Sequence, residues 1–214
     1  MGYIKDLLDA LHLSSLLSLL MRLGSVLLCL CVHESCHALS AYALGDPTAK
    51  RAHRITLNPL RHIDWLGFAM LAVAGFGWAK PVPVDPSYFK KPKLGMALTA
   101  LAGPVSNLLL AFLLLLAVKV SWNASGDSMA TAFLLNTALL STGLGLFNLV
   151  PIPPLDGSKV LFALLPDKQY RFVLQYERFG MLLLLVLVVA GVGSSALRTV
   201  IYAVFDGMCR LAGF

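Results

Sequence analysis

Leu23-Gly24-Ser25-Val26-Leu27-Leu28-Cys29-Leu30-Cys31-Val32-His33-Glu34-Ser35-Cys36-His37 carries an apolar run straight into an H-E-x-x-H sequence, and Ala38-Leu39-Ser40-Ala41-Tyr42-Ala43-Leu44 continues it. On a helix, residues four apart share a face, so His33 and His37 can turn two imidazoles toward one metal ion. Glu34 is offset by one position and can reach a water at the metal without being a ligand. Ionisable side chains inside a membrane helix are costly, and where they occur they mark function. Metal chemistry at membrane depth is the first expectation. The plainer alternative is a pair of histidines bonded to their neighbours.

The 214 residues are 58% hydrophobic and 13% charged, with a mean hydropathy of +0.78. Soluble domains carry about 25% charged residues, so the chain reads as one integral-membrane domain over 1–214 with no separate soluble module. The net charge of +6 fits membrane-flanking loops, where Lys and Arg of polytopic proteins collect, and no nucleic-acid partner is expected. Residues 1–13 set Ile4, Leu7, Leu8 and Leu11 at helical spacing, as in an amphipathic interfacial helix and unlike a cleaved leader. Cys29, Cys31, Cys36 and Cys209 lack disulfide spacing and read as small apolar residues.

About 20 apolar residues cross the hydrocarbon core. Spans are expected at 14–44, 94–118 and 129–150, with a fourth centred on 181–193. Gly45-Asp46-Pro47 closes the first, because Gly suits a helix C-cap and Pro cannot continue one. Trp65 to Ala79 is short and Gly-rich, which suits a shallow or re-entrant segment. The stretch from Leu197 to Met208 suits an interfacial helix or a last packed span, with a lean toward the former. Taken together this is an all-α polytopic membrane protein of about 4–6 helices, with a core over 14–165 and C-terminal helices over 166–214. Lys50, Arg51, Arg54, Arg61, Lys80, Lys90, Lys91 and Lys93 lie between the first two strong spans, and Lys159, Lys168, Arg171 and Arg178 follow the third. Residues 121–128 have no Lys or Arg. The positive-inside rule puts the two basic regions in the cytoplasm, and with them the end of the first span that carries His33 and His37.

A catalytic zinc needs a third protein ligand and an open position. Asp156 stands out in Phe147-Asn148-Leu149-Val150-Pro151-Ile152-Pro153-Pro154-Leu155-Asp156-Gly157, where prolines interrupt a helix and Gly permits a turn that aims a carboxylate back into the bundle. Read from these residues alone, Asp156 is better explained as the N-cap of a helix over 157–165.

The H-E-x-x-H at a span end, followed by F-N-x-x-P-x-x-P-L-D-G, resembles the site-2 protease family of intramembrane zinc metalloproteases. The resemblance extends through Leu44-Gly45-Asp46-Pro47-Thr48-Ala49-Lys50, Thr56-Leu57-Asn58-Pro59-Leu60, Gly77-Trp78-Ala79-Lys80-Pro81-Val82-Pro83-Val84 and Ala102-Gly103-Pro104-Val105-Ser106-Asn107. It covers about Leu30 to Leu165 and fits the compact prokaryotic branch without PDZ or CBS modules. His53-Arg54 departs from it, since relatives carry Gly-Arg there.

The resemblance implies one zinc ion held by His33, His37 and Asp156, with Glu34 as general base and Asn148 holding the substrate backbone or the developing oxyanion. It implies a short membrane-associated β region over Thr48 to Leu60 onto which substrate adds as a strand. The substrates would be transmembrane segments of proteins or peptides in the lipid bilayer of a prokaryotic plasma membrane, cut near the cytoplasmic face. A zinc transporter or sensor is the alternative, though the spans from Leu94 and Met181 offer almost no polar path. Asn107 is expected to serve helix packing, and His12, His53 and His62 to be surface or interface residues.

Overall fold

The computed structural model describes residues 16–74, 77–167, 169–170 and 179–214. The expected amphipathic helix over 1–13, with His12, lies outside them, as do Lys168, Arg171 and Arg178. The described helices are α1 (Leu16–Ala43), α2 (Thr48–Arg51), α3 (Trp65–Ala74), α4 (Pro92–Ser125), α5 (Met129–Asn148), α6 (Asp156–Ala163), α7 (Gly180–Val189) and α8 (Ser194–Ala212).

α1, α4 and α5 are each long and apolar enough to cross a bilayer, and α7 with α8 adds a fourth crossing if that pair, bent by 88°, is taken as one span. The described spans thus number three or four, at or below the low end of the expected 4–6. At ten residues, α3 is half the length a crossing needs, in line with a shallow segment.

Small side chains bring the spans together. The buried stripe of α4 is Gly95, Ala97, Thr99, Ala100, Gly103, Pro104, Asn107 and Ala111, continuing to Leu115 and Val118, while Leu98, Val105, Leu109, Leu113, Leu116 and Val120 stand exposed on other faces. A Cβ on Gly145 of α5 would lie 2.9 Å from the Pro104 carbonyl, so the two backbones touch. Hydrogen bonds cross the same interfaces: Ser25 pairs with Thr137 at 2.7 Å, and Ser141 donates to the Asn107 carbonyl at 2.8 Å. Such bonds average about 0.6 kcal/mol between membrane helices, so the close fit of small residues outweighs any one of them. Asn107 is fully buried, and its side-chain amide has no partner among the described residues. It serves packing through its backbone oxygen.

α8 lies along the bundle and not flat beside it. Ile201 reaches Gly143 of α5, Phe205, Cys209 and Ala212 share a core with Leu115, Val118, Leu135 and Ala138, and the Ala212 carbonyl accepts from Lys119. The interfacial placement of this stretch gives way to a packed helix. Arg198 and Arg210 stand exposed while Phe205, Cys209 and Ala212 are buried against protein.

The β region expected over Thr48 to Leu60 is not found. Pro47 leads into the turn of α2, Asn58 caps a single turn over Pro59–Arg61, and too little extended chain remains between them for a ladder. Among the described residues one isolated bridge occurs further along, Ile63 with Ala79, where Lys80 donates to the His62 carbonyl at 2.9 Å. Pro81 and Pro83 lack the N–H that would extend it.

Candidate metal centre

α1 carries His33 and His37 one turn apart, their Nε2 atoms 3.0 Å from each other. Asp156 opens α6, and its Oδ2 lies 3.1 Å from each of those nitrogens. All three residues are buried, and they are the sole group of this kind among the described residues. Zinc bonds of 2.0–2.2 Å in a tetrahedron separate neighbouring donors by about 3.3 Å, so this triangle of two imidazoles and one carboxylate fits a zinc ion with a fourth corner open. Burial alone would push the Asp156 carboxyl up, but bonding to His33 and His37 and the charge of Lys159 outweigh it and hold the group below the usual carboxylate range. The capping alternative for Asp156 falls. Leu155 is the N-cap of α6 and no side chain caps it, while the Asp156 carboxylate is spent on the histidines.

Local packing explains why these side chains meet. A Cβ on Gly157 would collide with the backbone of Leu149, so glycine there lets the start of α6 press against the end of α5 and aim Asp156 across at α1. Behind the histidines, a Cβ on Gly103 would lie 2.5 Å from His37 Cε1 and 2.7 Å from His33 Cε1. Gly103 is therefore the floor of the centre. From the same helix, Thr99 offers its carbonyl to His37 Nδ1 at 2.7 Å. The Nδ1 of His33 is buried without a partner among the described residues.

A cavity of about 600 Å³ opens in front of the trio, lined also by Glu34, Asn148 and Lys159, with apolar walls that include Trp78, Val82, Met96 and Phe147. Glu34 is half-buried and makes no hydrogen bond or ion pair with another described residue, which leaves its carboxylate available to the cavity. Asn148 donates to the Leu144 carbonyl one turn back in its own helix, at 2.9 Å. Every sequence-expected site residue thus borders one space. Lys159 was not anticipated, nor were Thr99 and Gly103 as supports of the histidines. The Gly103-Pro104 pair was visible as a motif, but nothing in it told which residue it would face.

The segment beside the cavity is pinned by polar anchors. Ser35, inside H-E-x-x-H, donates to the Thr56 carbonyl, and His62 Nε2 contacts the same oxygen at 2.7 Å. His62 is 2% exposed and so is a buried anchor, whereas a surface or interface position was expected. His53 is exposed. Arg54 is buried and donates to the carbonyls of Arg61, Lys80 and Pro81, tying the two loops together where a sheet would have done so. Burial pushes its guanidinium down from the ordinary value and the Glu34 charge opposes that, so Arg54 and Glu34 sense one another. The His53-Arg54 departure also has a reason. His53 has φ +53°, and the bonds from His53 N to Lys50 O and Arg54 N to Ala49 O form a Schellman cap, whose left-handed position normally takes Gly. Cys29, Cys31 and Cys209 are buried free thiols and Cys36 is half-buried.

The model for peptidase family M50 matches residues 117–190. YwhC of Bacillus subtilis (strain 168), which carries the provisional name of zinc metalloprotease, is 42% identical over 189 residues, spanning 84% of this chain and 85% of its own. Rip2 of Mycobacterium tuberculosis, under the same provisional name, is 32% identical over 197 residues, 87% of this chain and 73% of its own. The zinc metalloprotease RasP of Oceanobacillus iheyensis is 42% identical over 66 residues, 27% of this chain and 15% of its own. No solved structure matches the chain.

Proposed function

The chain belongs to peptidase family M50 and is a zinc metalloprotease of the membrane with several spans, and on that premise we propose that it hydrolyses peptide bonds within transmembrane segments of other proteins. The observation that carries this reading is the placement of Glu34 beside a three-donor metal triangle in a cavity walled by membrane helices. A transporter or sensor has no need of a free carboxylate in that position.

His33, His37 and Asp156 would hold the zinc ion, which when bound would supply a Lewis acid able to bring the pKa of water to about 7 and to polarise a carbonyl. The remaining work falls to this chain. Glu34 accepts the proton of the attacking water and returns it to the leaving amide nitrogen, so one carboxylate acts as base and then as acid. Asn148, at the cavity wall, donates its amide to the substrate backbone or to the oxyanion, and does so by exchanging its bond to Leu144. The non-helical run Gly77 to Val84 lines the cavity and faces a substrate that has to be unwound before its peptide bond is reachable. From the loop charges, the cavity opens toward the cytoplasm. Proteolysis at that level releases the cytoplasmic part of a membrane protein, the chemistry of regulated intramembrane proteolysis.

The test is reconstitution in vesicles with a peptide whose transmembrane helix is weakened by Gly or Pro. Cleavage inside the helix, abolished by a chelator and restored by zinc, is the expected result. Cleavage indifferent to chelation, or none across a panel of such peptides, would remove the proposal.

A further inference from the structure

Asp156 uses its two oxygens differently. Oδ2 lies 3.1 Å from both histidine nitrogens, whereas Oδ1 faces Lys159 Nζ at 3.5 Å. Lys159 sits one turn further along α6, on the face that borders the cavity, and it is the only Lys or Arg among the described residues lining that space. Its side chain is one-third exposed while that of Asp156 is 8% exposed, so the cation stands at the edge of the cavity with its partner inside. The pair is more than a surface contact between neighbours on a helix. It joins a buried carboxylate to a group that could otherwise turn freely into solvent.

A carboxylate binds zinc through one oxygen or through two. With both oxygens free, Asp156 can swing to occupy a second coordination position, and that position is the one a reacting water or carbonyl needs. A cation on Oδ1 opposes the swing, keeps Oδ2 as the single ligating atom and orients the carboxylate plane. We propose that Lys159 is a positioning residue of the metal centre, which holds Asp156 to one-oxygen ligation and so keeps the fourth position open. This rests on the zinc-protease reading and names a further residue in it. Lys159 acts through Asp156 and is distinct from the water-handling Glu34.

The experiment uses the full chain in detergent with zinc and, separately, cobalt, comparing the parent with Lys159→Met and Lys159→Arg. Lys159→Met is expected to weaken zinc affinity about 10–100-fold, as loss of a partner behind a ligand does, and to lower kcat with KM little changed. Its cobalt spectrum is expected to lose intensity in the visible, as a four-coordinate site does on gaining a fifth donor. Lys159→Arg is expected to recover most of the affinity and the parent spectrum. Thermal unfolding of the metal-free proteins should be unchanged, because an ammonium that is one-third exposed and 3.5 Å from its partner contributes little to the fold, and Asp156 keeps its contacts to the two histidines. A Lys159→Met protein with parent zinc affinity, parent spectrum and parent kcat would overturn the inference alone. Reduced metal-free stability with an unaltered spectrum would assign Lys159 to the fold and also overturn it. A parent chain that binds neither ion would bring down the zinc-protease reading and this inference with it.

Discussion

His37 Nδ1 meets the carbonyl of Thr99 at 2.7 Å, a bond from the zinc helix to the helix behind it. A carbonyl only accepts, so His37 must carry its proton on Nδ1. Its Nε2 is the ring atom turned toward His33 and Asp156, 3.0 and 3.1 Å away. A backbone oxygen cannot be mutated away, so this orientation is built into the seating of α4 against α1 and follows from the fit at Gly103. Outer partners of this kind fix the tautomer of a ligating histidine.

That fit gives the first prediction. Gly103→Ala puts a methyl against both imidazoles, and backbone on one side with metal ligands on the other leaves little room to yield. Zinc affinity is expected to fall at least about tenfold, the scale of a disturbed ligand support. Gly207→Ala, with nothing within 4 Å of the added carbon, should leave zinc content unchanged. Equal metal content in both variants would show that Gly103 is not the floor of the site.

The ligand assignment is tested by metal analysis. The parent is expected to hold one zinc per chain, and His33→Ala and Asp156→Ala to hold little, since three protein donors are the minimum of a catalytic site. Full occupancy and affinity in Asp156→Ala would return Asp156 to a structural role.

His53 occupies a left-handed backbone position in which any side chain is strained and glycine is not. His53→Gly is expected to stabilise the protein by up to about 1 kcal/mol, the left-handed penalty less the entropy glycine adds to the unfolded chain. His53→Val, branched at Cβ, should destabilise it. Thermal unfolding in detergent reads both signs, and a parent more stable than His53→Gly would contradict the assignment of this cap.

Arg54→Met leaves the carbonyls of Arg61, Lys80 and Pro81 without their shared donor. Hydrogen bonds to a charged group contribute about 1.5–3 kcal/mol, so amide exchange is expected to rise at Ile63 and Lys80 while zinc content holds. Unchanged exchange at both would show that the loops are joined by other means.

Topology follows from loop charge. Cysteine labelling is expected to place position 90 on the cytoplasmic side and position 125 outside. Labelling of position 125 from the cytoplasm would reverse the orientation and leave the metal ligands as they are.

How much of this was legible depended on whether a signal was local. The spans α1, α4 and α5 were readable because long apolar runs that stop at Gly45, after Val118 and at Pro151 have few other solutions, although α4 continues to Ser125. His33 and His37 were readable because a spacing of four is a statement about one helix. Asp156 was ambiguous from its neighbours, since a carboxylate before Gly157 caps a helix more readily than it binds a metal. Only the approach of α6 to α1 decides between them. Thr48 to Leu60 misled because a resemblance in its motif residues says nothing about which strand would pair with it, and here Arg54 supplies the cross-links through its side chain. Thr99, Gly103 and Lys159 were hidden for a similar reason. What each contributes is a contact with a group tens of residues away, or a division of labour between two oxygens, and no pattern along the chain encodes either.

The central claim is that Glu34 handles protons at a zinc site and is not itself a ligand. Comparison of Glu34→Gln with the parent, reading zinc content and cleavage of a helix-weakened transmembrane peptide on the same samples, tests it most directly. The variant is expected to keep its zinc and its detergent stability while cleavage drops by about 10²–10⁴-fold or more, the usual effect of removing a positioned base. Equal cleavage by the two proteins, or loss of zinc from the variant, would contradict it.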